Sequence, residues 1–127
     1  MPKQVIAPST VEKAIGYSHA IRCGNTLYIS GQIAHDINGK LVGPGDVKAQ
    51  GEQVYQNIKA IVESCGGTMQ HIVRITTYVT SLAHRPVMVE VRAKYFSKEP
   101  PASTFLVVSS LADPGFLVEV DAVAVLD

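Results

Sequence analysis

The chain has 127 residues, of which 46% are apolar and 17% charged, a balance typical of one globular domain over residues 1–127 and not of a disordered chain. Eleven basic residues offset eleven acidic ones, which argues against the strong basic field of a nucleic-acid binder and mildly favours self-association. No run approaches the roughly 18 apolar residues of a membrane span. The first residues also lack the apolar segment of a signal peptide, so we expect a cytoplasmic protein without a membrane partner.

The first forty residues read as strands joined by tight turns. Residues 20–23 and 26–30 flank Gly24-Asn25, which suits a two-residue hairpin turn. Asn38-Gly39 predicts a second hairpin with a type I′ turn, because that turn needs positive φ at both central residues. A breaker of two glycines and a proline follows at residues 43–45.

A long amphipathic helix comes next. Asp46 is suited to cap its N-terminus, and apolar residues recur at helical spacing from Val47 to Cys65, a span of roughly five turns of 3.6 residues. Gly66 and Gly67 are suited to end the helix in the left-handed conformation. The predicted polar face carries Lys48, Gln50, Gln53, Gln56 and Lys59.

A strand, a second helix and two further strands complete the pattern. Residues 72–79 are rich in β-branched side chains and alternate as a strand does. Pro86 suits the first turn of a helix that runs to about residue 97, before the break at Pro100-Pro101. The predicted apolar stripe of that helix is Val89, Ala93 and Phe96.

The last two strands are predicted at residues 102–109 and 117–126. The element order predicts an α+β fold, with two helices on one face of a mixed sheet. One side of the last strand carries Glu119, Asp121, Val123 and Val125. That side is too apolar to face open water, so we expect it to pack against partner subunits.

Glu119 and Asp121 stand in the middle of this apolar strand. Two interpretations remain open: both carboxylates lie on a solvated face, or Glu119 lines a cleft at a subunit boundary and orients a water as a general base. Two interpretations are open for Arg74, Arg85, Arg92 and Lys94, a basic patch or separate solvated residues. The second is favoured, because no regular aromatic interleaving accompanies them.

No motif indicates a metal or a nucleotide cofactor. The four histidines lack the spacing of a metal pair, and no glycine-rich phosphate loop occurs. Cys23 and Cys65 match no metal or redox spacing, which predicts two reduced and mostly buried thiols. We therefore expect no cofactor.

Five short stretches resemble the Rid family, the reactive intermediate deaminases also called YjgF-type or L-PSP proteins. They are residues 14–18, 27–32, 57–63, 101–102 and 118–124, in the family's order and at its separations. The resemblance implies a chorismate-mutase-like fold and a homotrimer with a barrel-like core and three clefts between subunits. It also implies cofactor-free hydrolysis of small imines and enamines to keto acids and ammonia.

The resemblance also implies part of a site. Tyr17 matches the family's pocket tyrosine, although the usual preceding proline is missing. Ser30 and Gly31 match a strand that offers main-chain contacts, and Glu119 matches the glutamate that holds water near the imine carbon.

The decisive departure concerns the arginine that pairs with the substrate carboxylate in the family. Its position is Ser103, while Phe105 stands where a cysteine is frequent and Val89 where an asparagine is frequent. A serine hydroxyl offers one neutral donor in place of a charged fork. Arg92 follows Val89 by three residues, and it is a candidate to reach into the same place.

These residues predict hydrolysis of a small imine or enamine whose recognition does not depend on a carboxylate at Ser103. The alternative is a trimer that binds a small ligand or stabilises a protein without catalysis. An endoribonuclease activity, reported for some relatives, is the interpretation that the neutral charge favours least.

Overall fold

A six-stranded mixed sheet, covered on one face by two helices, forms the body of the molecule in the computed structural model, which describes residues 2–127. The strands are β1 (Gln4–Ile6), β2 (Ala20–Cys23), β3 (Thr26–Gln32), β4 (Ile72–Val79), β5 (Ala102–Val107) and β6 (Val118–Val125), and the helices are α1 (Val47–Ser64) and α2 (Arg85–Tyr95). The order across the sheet is β1-β2-β3-β6-β4-β5, with β4 and β5 parallel and the other neighbours antiparallel. The predicted α+β class is confirmed.

Helix α1 begins and ends where its sequence predicts. The Asp46 carboxylate accepts a hydrogen bond from the Ala49 amide at 3.1 Å, and Gly66 takes a φ of +81° beyond the last turn. The buried face of the helix packs over β3 and β6. This packing places the centre of the core beneath the strand that carries Glu119.

Gln50 corrects the predicted polar face of α1, because its side chain is fully buried. Its amide nitrogen donates to the carbonyl oxygens of Gly43 (3.1 Å) and Gly115 (3.0 Å), and its carbonyl oxygen accepts from the Leu117 amide at 2.9 Å. Burial of a glutamine is tolerated here since both ends of its side-chain amide are hydrogen-bonded to backbone groups.

Helix α2 is rotated relative to its predicted stripe. Met88 and Val91 are its buried residues, whereas Val89 is half-buried and Ala93 is exposed. The physical reason lies in α1, where Gly51 leaves a notch that the Met88 side chain fills. Periodicity within α2 could not reveal that notch, because it belongs to another helix.

The sheet has a helix-covered face and a second face, called here the open face. Val118, Val120, Ala122 and Ala124 of β6 are buried under the helices, and the alternate residues point to the open face, as predicted. In β4 the register shifts between Ile72 and Arg74. The alternation predicted for that strand is therefore wrong at Ile72, which is buried with the helix-covered set.

Two smaller predictions also need correction. The 38–39 turn is not type I′: Gly39 has a φ of +76° but Asn38 does not take positive φ. The Asp36 carboxylate instead accepts from the amides of Asn38 and Lys40, and a single bridge between His35 and Leu41 replaces a longer hairpin.

Both cysteines, Cys23 and Cys65, are free thiols, but they are half-buried rather than mostly buried. Neither helix within residues 2–127 is both long and apolar enough to cross a membrane.

Candidate functional site

The Glu119 carboxylate lies on the open face, directly against the backbone of Gly31 on the neighbouring strand β3. A methyl group at Gly31 would overlap the carboxylate group. Glycine at this position therefore lets the carboxylate approach the main chain, a contact that any side chain on β3 would block.

A second carboxylate and a phenol adjoin Glu119. Tyr78 on β4 is its register partner, and the Tyr78 hydroxyl donates to Asp121 Oδ2 at 2.9 Å. Burial raises the pKa of Glu119 above its ordinary value, and the charge of Asp121 raises that pKa further. A carboxyl group with a raised pKa suits a role that both accepts a proton and returns it.

Tyr17 reaches this region from the loop before β2. The Ser30 hydroxyl donates to the carbonyl oxygen of Ser18 at 2.6 Å, and the Ser30 amide donates to that of His19 at 2.9 Å. These bonds tie the loop to β3. Burial raises the pKa of Tyr17, followed by the charges of Glu12 and Glu119, so the phenol lies within the field of the Glu119 carboxylate.

Behind Tyr17 lies a buried hydrogen-bond network that the sequence reasoning missed. His19 donates from Nε2 to the carbonyl oxygen of Glu12 at 2.6 Å and accepts at Nδ1 from the Gln32 amide at 3.2 Å. The Glu12 carboxylate pairs with His35 Nδ1 at 3.0 Å. No local motif marks this network, since its bonded residues are separated by 7, 13 and 23 positions in the sequence.

Two depressions flank this part of the molecule. One of about 320 Å³ lies on the open face and is lined by Tyr28, Ser30, Gly31 and Asp121 among others. The other, of about 520 Å³, lies under the N-terminal segment and is lined in part by Glu12 and Tyr17. Tyr17, Ser30, Gly31 and Glu119 therefore form one group, on or beside the open face.

The other four predicted site residues lie apart from this group. Ser103 pairs with Ile75 and Phe105 with Thr77, and both partners are buried on the helix-covered face. Paired residues share a face of the sheet. Ser103 and Phe105 therefore point to the side opposite Glu119.

Ser103 and Phe105 meet helix α2 instead. Arg92 Nη1 donates to the Ser103 hydroxyl at 3.2 Å, and the Arg85 guanidinium lies over the Phe105 ring, 5.6 Å from its centroid. Val89 occupies the same stripe of α2 between the two arginines. We call these five residues the α2–β5 edge. The sequence reasoning missed Arg85, although a spacing of seven residues from Arg92 indicates a shared helix face.

The geometry of the open face supports acid–base chemistry by a carboxyl group. Among residues 2–127, no three His, Cys, Asp or Glu side chains lie close enough together to hold a metal ion.

The fold, with two helices on one face of a mixed sheet and a glutamate on its last strand, defines a domain of the YjgF/Rid class. The family model described as Endoribonuclease L-PSP matches residues 8–126. The chain therefore belongs to the L-PSP family, also called YjgF/Rid.

Individual relatives agree with this assignment. The chain is 39% identical to a RutC family protein of Pyrococcus horikoshii, over 96% of this chain and 97% of that one. It is 28% identical to the 2-iminobutanoate/2-iminopropanoate deaminase of Dermatophagoides farinae, over 99% and 98% of the two chains. The crystal structure of RidA from an Antarctic Psychrobacter superposes with a TM-score of 0.91 at 36% identity, over 97% and 99% of the chains.

Proposed function

We propose that this chain hydrolyses a small imine or enamine, releasing ammonia and a carbonyl product, in clefts between the subunits of a homotrimer. The observation that carries the proposal is the Glu119 carboxylate, seated against the Gly31 backbone with a raised pKa and with Tyr17 nearby. The similarity to a relative named as a 2-iminobutanoate/2-iminopropanoate deaminase supports the same reaction class.

Glu119 would act as the proton carrier for an attacking water. As the water oxygen bonds to the carbon of the protonated imine, Glu119 takes one water proton, and the C=N π electrons go to nitrogen to give a neutral carbinolamine. Glu119 then gives that proton to the nitrogen. The C–N bond breaks with its electrons leaving on ammonia, while the carbinolamine O–H proton passes to Glu119 and the C=O bond forms, so one water is consumed for each carbonyl formed. The raised pKa of Glu119 makes its carboxylate a better proton acceptor than an ordinary glutamate.

The trimer is proposed because neither face of one chain holds a complete site. Glu119 and Ser103 lie on opposite faces of the sheet, so a cleft that uses both needs a second copy. Tyr28, Leu106 and Val125 stand on the open face with 52%, 44% and 45% of their surface exposed. Apolar side chains exposed on an uncovered sheet face favour burial of that face against another subunit.

Ser103 affects which substrates the cleft can bind. A serine cannot form the charged, two-pronged contact that an arginine makes with a carboxylate. Imines derived from alanine or serine carry a carboxylate, so β5 should bind them weakly. Phe105 and the half-buried Val89 make the same side of the cleft apolar.

The test generates imines with an amino-acid oxidase and measures keto-acid formation with and without the protein, while light scattering gives the mass. We expect acceleration for at least one imine and about three times the monomer mass. A clean monomer would contradict the cleft between subunits.

Ligand-induced thermal shifts without acceleration of any imine would favour the non-catalytic binder. RNA cleavage with a steep salt dependence would favour the endoribonuclease reading.

A further inference from the structure

We propose that the α2–β5 edge binds a dicarboxylic substrate, with Arg92 holding one carboxylate and Arg85 the other. This inference rests on the proposed function, since it names the substrate class of that reaction. It assigns anion recognition to helix α2, in place of the serine on β5.

The first support is that both guanidinium groups lack an anionic partner in the chain. Within residues 2–127 the ion pairs are His35 with Glu12, His71 with Asp127 and Lys94 with Glu52. Arg92 donates to a neutral hydroxyl, and Arg85 presents its flat face to an aromatic ring. The N–H groups along the rim of each guanidinium therefore remain available for a carboxylate.

The second support is the spacing of the two groups. Arg92 is held at Ser103 and Arg85 over Phe105, two residues further along the same strand. Two residues of a strand span about 7 Å, and the seven-residue separation of the two arginines along α2 spans about 10 Å. Donors set apart on this scale suit two carboxylates at the ends of a short carbon chain better than one phosphate, which would need converging donors.

The third support is the surroundings of Arg92, which is half-buried beside an aromatic layer. Tyr55 is fully buried and stacks on Tyr95, with ring centroids 5.0 Å apart. Burial raises the pKa of Tyr55 to about 12, and the positive charge of Arg92 opposes part of that rise. Apolar surroundings strengthen the attraction between a guanidinium and a carboxylate.

The binding test uses stable compounds and needs no turnover. Glutarate, butyrate, butyramide and inorganic phosphate are titrated into the assembled protein by calorimetry. We expect glutarate to bind at least about tenfold more tightly than butyrate, since a second charge-assisted contact of 1.4 kcal/mol corresponds to about that factor. Butyramide and phosphate should bind more weakly than glutarate.

Variants separate the two arginines. Arg92→Gln should weaken glutarate and butyrate alike, whereas Arg85→Gln should reduce glutarate to the level of butyrate. Arg92→Lys should restore only part of the affinity, because it keeps the charge and loses the fork. Lys59→Gln removes one charge from the exposed face of α1, and as the matched control it should change nothing. Mass and thermal unfolding of each variant verify assembly.

The inference is overturned if glutarate binds no better than butyrate, if phosphate binds as tightly as glutarate, or if Arg85→Gln and Lys59→Gln behave alike. Imine kinetics distinguish it from the proposed function. A glutarate preference that Arg85→Gln abolishes, in a protein that hydrolyses no imine, would uphold the dicarboxylate site and refute catalysis. Hydrolysis of the imines from alanine and glutamate at equal rates would uphold catalysis and refute the dicarboxylate site.

Discussion

The open face around Glu119 and the α2–β5 edge are built in different ways. Glu119 rests on backbone at Gly31, and its neighbours Tyr78 and Asp121 are joined by a hydrogen bond of 2.9 Å. The edge is held more loosely, by one bond of 3.2 Å from Arg92 to an exposed serine. The group proposed for chemistry is thus fixed by the sheet, whereas the groups proposed for recognition stand on long side chains at its border. Substitutions around Glu119 should therefore lower activity more than substitutions at the α2–β5 edge.

Glu119→Gln gives the largest expected effect. The amide keeps the shape of the side chain but cannot exchange protons, so hydrolysis of the best imine should fall by about 100-fold or more. Keto-acid formation measures the rate, and glutarate affinity should stay within a factor of about three, because the α2–β5 edge is untouched. Full activity in a correctly assembled variant would make Glu119 structural.

Gly31→Ala tests the same region through its backbone. The added methyl group must displace the Glu119 carboxylate, and the rate should fall by about tenfold or more, the usual scale for misplacing a reacting group. The control is the same change in the Glu119→Gln background, where it should have little further effect on the rate. Independent, additive losses would show that Gly31 acts in some other way.

Ser103→Arg tests carboxylate recognition at the α2–β5 edge. A guanidinium there should raise hydrolysis of the alanine-derived imine, but Arg92 already lies within 3.2 Å of the Ser103 hydroxyl and would repel it. The double variant with Arg92→Gln should therefore gain more, on the order of tenfold, since it restores one charged contact. Equal rates in the wild type and both variants would mean that carboxylate recognition lies elsewhere.

The smallest effect is on stability. The pKa of Glu119 is raised from its ordinary value of 4.5, so its ionisation in the folded state lowers the free energy of unfolding as pH rises through the folded pKa. Glu119→Gln lacks this loss. It should resist urea slightly better than the wild type at about pH 7, and the difference should close at about pH 4.

Partial exposure of Glu119 keeps this difference small. Urea unfolding is compared at fixed protein concentration, because an oligomer's stability depends on it. A variant less stable than the wild type at about pH 7 would indicate that the carboxylate makes a favourable contact.

Local patterns predict most of the elements, whereas the residues of the candidate site come mainly from the family resemblance. The Asp46 cap, the end of α1 at Gly66 and the alternation of β6 all follow from interactions among near neighbours in sequence. The structure brings Tyr17, Ser30, Gly31 and Glu119 close together, and their roles stay a prediction.

What the patterns could not give depends on contacts between distant segments. The rotation of α2 follows from the notch at Gly51, and the burial of Ile72 follows from a register shift against β6. The face that Ser103 occupies requires the pairing of β5 with β4, which no residue near Ser103 encodes. The contact between Arg92 and Ser103 likewise depends on how α2 packs beside β5, which neither segment encodes alone.

Gln50 links the local unfolding of two segments that are distant in sequence. Its side chain accepts a hydrogen bond from the Leu117 amide, immediately before β6, and holds the carbonyl groups of Gly43 and Gly115. Helix α1 is thus hydrogen-bonded through Gln50 to the residue that precedes β6, the strand that carries Glu119. The Leu117 amide should exchange with deuterium at the slow rate of α1 rather than at the rate of its own loop, so the two segments open as one cooperative unit.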